Sequence, residues 1–429
     1  MKRSIFSLAI ILAIAASAFA QSMNGTPAIK YRRSSLHTIL VESDRFPYRD
    51  TVLTAYYNAP FPEKYNNHTI GEKSFDPKRF PLNKQEVDGL FNSRSKFSNA
   101  FVTDSSRIEM KMSIEKYLKL DRIANKLVAK WFNRQTDGSF DMNLIGDRGS
   151  YNASEMQANI AKGSARGVSA LRDAGVELIG NTFVVVSRFN FVSNEIIAAG
   201  IRQAAMIPIS NLNGLAQKFA VVAANLAYNK AKEGYSVWTT SYLYKLTWND
   251  SIEAVFYNDL WMDKTNLSQT KIEAFDNSKL FNLEYVGDEK AVGLVLFSLK
   301  EKRTPEQIVK QATIRTIDAV YAKLQKKYDV FMPKVPLFSG DPITSKIGMK
   351  EGLEGGEKFE VFEQALNEKT GLTEYISKGT IKVDKNLIWD NRFSEGDAAS
   401  TEGSKQTIDR TTFKGGKGLY AGMLIKQIK

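Results

Sequence analysis

The sequence predicts an α/β (α+β) central domain, with helices on both faces of a mixed sheet, followed by a small C-terminal β-barrel. Three observations predict it. The run Val184, Val185, Val186 within Thr182 to Val192 is continuously apolar, as in a strand buried on both faces and covered by helices on each. Apolar residues recur at spacings of three and four on either side of that strand, which marks helices with one core-facing side. Beyond Pro333 and Pro336 the pattern becomes glycine-punctuated alternation, which suits short strands joined by tight turns.

Taken in order, residues 1–20 read as a secretory signal. Lys2 and Arg3 give a positive start, Ile5 to Ala16 an apolar stretch, and Ala18 and Ala20 the small residues a signal peptidase needs, with the cut after Ala20. Gln21, Ser22 and Asn24 end the stretch short of the roughly 20 apolar residues of a spanning helix. Residues 21–100 read as an irregular segment wrapping the body. Pro47, Pro60, Pro62, Pro77 and Pro81 interrupt it, and Thr51 to Tyr57 is its best strand candidate.

Residues 101–332 carry the central domain. Tyr117, Leu120, Ala124, Leu127 and Trp131 form a helical stripe, and a second helix is expected from Ala153 to Asp173, ended by Gly175. Ile196 to Lys232 is Ala-rich, apolar round the helical wheel, and broken by Pro208 and by Asn211 to Gly214. It predicts a buried helical hairpin, or alternatively an element inserted at a membrane or a partner's groove. Trp238, Tyr242, Tyr244 and Trp248 then share one parity of an alternating strand, a face that packs on the core or serves as a ligand or partner contact. Asn249-Asp250 reads as a turn into a return strand over Ile252 to Trp261, and Leu280 to Leu299 as strands around Gly287-Asp288. Thr304, Pro305 and Gln307 spell a capping box, opening a helix that runs through Ile308, Ala312, Ile317, Val320, Tyr321 and Leu324 to Lys326-Lys327. In residues 333–429, Phe359 and Val361 alternate with Lys358 and Glu360, and Ile381 and Val383 with Lys382 and Asp384. Asn367 to Gly371 reads as a hairpin loop between them, and Ser394 to Lys405 as a polar, acidic loop.

Chemistry is mostly excluded. The chain has no Cys, which removes disulfides, thiolate nucleophiles and Cys-ligated zinc, and its two histidines, His37 and His68, leave little for a Ser-His-Asp triad. Neither GxxxxGK[ST] nor GxSxG occurs, and Gly416-Lys417-Gly418 with Gly422 is not a dinucleotide fingerprint. Asp137, Asp141 and Asp147 gather in one polar segment, as a glycosidase acid–base pair or as loop acids and helix caps. Asp141-Met142-Asn143 with Gly146 opens like a calcium loop but lacks the closing Glu. No catalytic, cofactor-binding or metal residue is predicted. The net charge of +12, or +10 once Lys2 and Arg3 leave, favours an anionic lipid or glycan surface. Nucleic acid is not expected, because Lys and Arg are scattered rather than striped among aromatics.

Ile343 to Gly348, then Lys350-Glu351-Gly352-Leu353, Gly356 to Glu363 and Gly379 to Val383 resemble the small C-terminal β module of flagellar assembly protein T. The preceding order of helix, strand Thr182 to Val192, aromatic strand and helix Thr304 to Lys327 is similar to the periplasmic domain of curli-secretion-channel proteins, without their lipidated Cys. These resemblances imply a non-enzymatic, exported structural or assembly component of the bacterial cell envelope, periplasmic or outer-membrane-associated, with an envelope protein partner or self-association. The alternatives are a glycan-binding protein or glycoside hydrolase, and an oligomeric outer-membrane pore component.

Overall fold

The computed structural model describes residues 31–88, 105–151, 178–232, 234–294, 304–367, 373–393 and 408–428. The predicted signal with Ala18 and Ala20, the helix expected over Ala153 to Asp173, most of the loop Asn367 to Gly371 and the loop Ser394 to Lys405 lie outside these residues.

In chain order, strand β1 (Ser35–Val41) is followed by helix α1 (Arg49–Tyr57) and the two-residue strands β2 (Asn66–Asn67) and β3 (Ser74–Phe75). Helices α2 (Ser105–Leu120), α3 (Ile123–Trp131) and α4 (Asn143–Tyr151) precede β4 (Thr182–Ser193). Two helices, α5 (Asn194–Ile209) and α6 (Gly214–Ala231), then separate β4 from β5 (Tyr235–Leu246). Helices α7 (Asp250–Val255) and α8 (Gln269–Asn277), strand β6 (Leu283–Leu294) and the long helix α9 (Pro305–Lys327) complete the body. The sheet runs β2-β1-β4-β5-β6, with β3 also on β1. It is mixed: β1 is parallel to β2, β3 and β4, while β4, β5 and β6 are antiparallel.

Both sheet faces are covered, as the valine run predicts. Phe183 and Val185 of β4 join Leu36, Val52 and Tyr56 from the α1 side and Val320 and Leu324 of α9 in one core. Val184 and Val186 face the other way, with Ile114 and Tyr117 of α2 and Leu127 of α3. An aromatic cluster that includes Phe132, Phe140, Phe256, Phe275 and Phe281 closes one end of the sheet. Strands β7 (Val335–Gly340), β8 (Ile343–Ser345), β9 (Lys358–Leu366), β10 (Thr373–Val383), β11 (Thr411–Lys414) and β12 (Leu424–Ile428) form a closed antiparallel barrel in the order β10-β11-β8-β7-β12-β9. Phe359, Val361, Ile381, Val383 and Phe413 point into it, and Lys358 and Lys382 out, as the alternation predicts.

Several local expectations are corrected. The segment before residue 100 does more than wrap the body, because β1 pairs with β4 over its whole length inside the sheet. Thr51 to Tyr57 is helical: Val52, Ala55 and Tyr56 are buried, and their spacing of three and then one puts them on one helix face. The stripe from Tyr117 to Trp131 spans two helices, with Arg122 left-handed at the break and Leu120 exposed there. Over Ile252 to Trp261 the chain forms α7 and a π-turn, since Asn249 Oδ1 accepts from the Ile252 amide at 3.0 Å and caps a helix. Gly287-Asp288 is a bulge within a continuous β6, where Leu243 pairs with Gly287 and Tyr244 with Tyr285.

Helix α9 has its predicted capping box: Thr304 Oγ1 accepts from the Gln307 amide at 3.3 Å, and Gln307 Oε1 from the Thr304 amide at 2.9 Å. It lies directly on β6 at Gly293, where a Cβ would fall 2.8 Å from Thr316 Cβ and 3.2 Å from the Ala312 carbonyl. Gly293→Ala is therefore expected to cost about 1–3 kcal/mol through overpacking. Urea denaturation checks this, and an unchanged midpoint would refute the close approach.

Candidate functional site

The four aromatic candidates separate. Tyr242 and Tyr244 are buried between β5 and the α2–α3 layer, and Trp248 packs against Phe132, Phe256 and Phe281. Only Trp238 is open, at 53% exposed, and its cross-strand neighbour on β6, Val292, is exposed beside it. The four therefore do not form one platform. Alternation shows which residues share a face, and here helices bury most of both faces.

The acids of the polar segment serve local structure. Asp137 Oδ1 accepts from the Ser139 amide and hydroxyl at 2.8 and 2.6 Å, and these bonds hold its carboxyl below the usual range. Asp141 Oδ1 accepts from the Asn143 amide at 2.9 Å as α4 begins, and Asp147 is exposed. Among the described residues no group of three or more His, Cys, Asp or Glu could hold a metal ion. Both histidines are core residues. His68 stacks on Trp131, its Nε2 faces the Leu127 carbonyl at 2.9 Å, and Arg148 Nη1 lies 2.8 Å from its Nδ1. Burial and then Arg148 depress its pKa, so the ring is neutral, with Nε2 donating and Nδ1 accepting. Burial takes His37 down to about 3.

Two features remain. The first is a cleft of about 380 Å³ where α9 meets the barrel, lined by Asp318, Tyr321, Lys350, Glu351, Trp389 and Arg392 among others. Glu351 sits on the 3₁₀ turn after β8. It pairs with Lys64, while its Oε2 accepts from the Gly348 amide at 2.6 Å and from Asn391 Nδ2 at 2.9 Å. Burial raises its pKa, but Lys64 and the other donors outweigh that and leave the carboxyl below its usual range. Asp318 is served less well. Lys350 Nζ is 3.4 Å from Oδ1, and Oδ2 is buried without a hydrogen-bond partner. Burial pushes this carboxyl up to about 6, against the pull of Lys350 and with the help of the Glu351 charge. Sequence reasoning missed the pair. Asp318 nevertheless stands inside the buried arc of α9, next to Ile317 and close to Tyr321, where an acid is out of place.

The second feature is the α5–α6 hairpin. Ser193 Oγ accepts from the Glu195 amide and starts α5, and Asn211 to Gly214 turn the chain back. The helices are joined by Arg202 Nε donating to Asn225 Oδ1 at 2.7 Å. They reach the body at their base, where Ser236 Oγ donates to Asn194 Oδ1 at 2.7 Å and the Asn194 amide to the Gly234 carbonyl at 3.0 Å. The hairpin is not buried, contrary to one of the two expectations. Ile196, Ile197, Ile201, Ile207, Leu212, Leu215, Phe219, Val222 and Leu226 are all exposed, nine of the nineteen exposed large apolar side chains among the described residues. Two helices can hide only the faces they turn to each other. Burying nine such side chains elsewhere would stabilise by on the order of 10 kcal/mol. Among the described residues no helix is long and apolar enough to cross a membrane.

Neither a protein-family model nor a curated protein matches the chain.

The cleft yields a pH prediction. A carboxyl whose folded pKa is raised above its unfolded value of about 3.9 adds stability below that value and loses it as pH rises through the folded pKa. Native stability should therefore fall between about pH 4 and 6 on account of Asp318. Asp318→Asn removes that loss, and above pH 7 it is expected to be the more stable chain by on the order of 2 kcal/mol, with the gain vanishing below pH 4. Thermal melts of the two chains across pH check this, and parallel curves would contradict it.

Proposed function

We propose that this chain is an exported, non-enzymatic structural or assembly component of the bacterial cell envelope, with the α5–α6 hairpin as its contact element. One observation carries the reading. A well-packed body with two covered sheet faces and a closed barrel holds out an element whose large apolar side chains are exposed among the described residues. Single exposed apolar residues are ordinary, but a contiguous patch of this size marks an interaction surface. The signal-like first twenty residues, the absence of Cys and the resemblance to envelope assembly parts support the compartment. The chemistry supports a non-catalytic role: both histidines sit in the core, and Glu351 already receives three partners.

The test is expression of the full chain with a photocrosslinking residue in place of Phe219, followed by cell fractionation. The expected result is a mature N-terminus at Gln21 and crosslinks from the hairpin to an envelope component. An uncut chain in the cytosol, or a free monomer without crosslinks, would overturn the reading. A ring recovered in detergent would favour the pore alternative.

A second reading, glycan binding, draws on the cleft. Its volume suits a small ligand, Trp389 offers a stacking surface, and the unpartnered Asp318 Oδ2 is an acceptor for a sugar hydroxyl. The donors around Glu351 occupy its carboxylate, which leaves Asp318 Oδ2 as the acceptor for a ligand there. Titration of an oligosaccharide panel should show binding that Asp318→Ala and Trp389→Ala both abolish, and silence across the panel would remove this reading.

A further inference from the structure

We infer that the tip of the α5–α6 hairpin inserts into the headgroup region of an anionic lipid bilayer, and that lipid is the occupant of its apolar surface. The inference rests on the assembly reading above and names the partner of its contact element.

From Gln203 to Gln217 the chain carries no charged residue, and these residues form the far ends of both helices and the turn between them. Ile207, Leu212 and Leu215 are exposed there, at 68%, 40% and 72%. The apolar surface therefore wraps over the turn itself, where a docking helix would need a seam along one side. A bilayer is the partner that covers a tip from all directions. Depth agrees with this. Lys218 is exposed and stands four residues along α6 from Gly214, about 6 Å by helical rise. Interfacial helical segments bury their apolar side by about 5–10 Å, so Lys218 would reach phosphate level as Ile207 and Leu215 pass beneath it. Peripheral insertion also suits helices that are not long and apolar enough to span.

Charge selects the kind of surface. In sequence the segment from Glu195 to Glu233 carries four cations, Arg202, Lys218, Lys230 and Lys232, against two acids, Glu195 and Glu233, so the hairpin is drawn to anionic headgroups. The same cations oppose a second copy, because two hairpins laid together would set them against each other. The body contributes in the same direction through its overall basic charge.

The experiment is co-sedimentation of the full chain with phosphatidylcholine vesicles, with and without phosphatidylglycerol. Binding is expected only with phosphatidylglycerol and should weaken as salt rises. Lys218→Glu should weaken it about 25-fold, two charge units at roughly fivefold each. Ile207→Asn combined with Leu215→Asn should abolish it, with an unchanged circular-dichroism melt showing that the body is intact. Phe219→Trp should add emission that shifts to the blue on phosphatidylglycerol vesicles. Absence of binding, or equal binding to both vesicles that ignores Lys218→Glu, overturns the inference, as does a dimer that shifts the Phe219→Trp emission without lipid. Crosslinks to an envelope protein with no vesicle binding would sink the lipid inference and leave the assembly reading standing. Vesicle binding by a chain that stays uncut in the cytosol would do the reverse.

Discussion

Helix α9 is buried on two sides, and the rest of the molecule is arranged around that constraint. One side carries Ile308, Ala312, Ile317, Val320 and Leu324 into the core of the sheet, close enough that β6 needs a glycine beneath it. The other meets the barrel, where Arg315 Nε donates to the Phe393 carbonyl at 3.0 Å and Asp318 faces Lys350. A helix in this position has few surfaces left for polar residues, so those it has are bonded internally. Thr316 Oγ1 lies 2.9 Å from Thr239 Oγ1, and Thr313 Oγ1 donates to the Val309 carbonyl at 2.7 Å. Asp318 differs from these, and its half-satisfied carboxyl sits where body and barrel meet. The neighbouring Lys64–Glu351 pair shows the contrast. Breaking such a buried pair would cost about 3–5 kcal/mol, because the partner would be left charged and alone.

What the sequence made legible depended on whether one physical rule acted alone. The Val184 to Val186 run reads correctly because a strand covered on both faces has no polar parity to keep. The start of α9 reads correctly because Thr304, Pro305 and Gln307 act locally. The barrel strands read correctly because one face is core and the other water. Where two rules competed, the reading failed. Val52 and Tyr56 sit in a β-branched and aromatic run that suits a strand, yet their spacing suits a helix, and packing on α9 decided for the helix. Asn249-Asp250 can open a turn or cap a helix, and the cap won. Strand β1 was hidden by the prolines after it, although Ile39-Leu40-Val41 within it is a short apolar run.

The candidate sites were legible to different degrees for related reasons. Composition flagged the α5–α6 segment as unusual, but periodicity says which residues share a face and nothing of what lies outside that face. Exposure had to come from the fold. The alternation of Trp238 to Trp248 met the opposite problem, since helices on both sides of β5 turned Tyr242 and Tyr244 into core residues and left Trp238 at the uncovered end. The cleft joins Asp318 to Glu351 across the boundary between body and barrel. No local pattern in either element announces that meeting.

The energetics of the hairpin differ in kind from those of the body. The sheet and barrel are held by side chains buried from several directions, whereas α5 and α6 touch the body at their base and otherwise lean on each other. At 16 and 18 residues each helix is only slightly longer than the roughly 12–15 at which isolated helices become marginal in water. Their stability is therefore the part of the molecule most open to gain from an added surface. Strands β4 and β5 make this separation workable. Paired over eleven consecutive positions, they deliver both hairpin ends to one end of the sheet's central strands and fix the direction in which the apolar tip is presented. A stable anchor with a marginal arm lets an encounter at the tip add order to the hairpin while leaving the core unchanged. Amide exchange in α5 and α6 would report that encounter before any change reached the sheet.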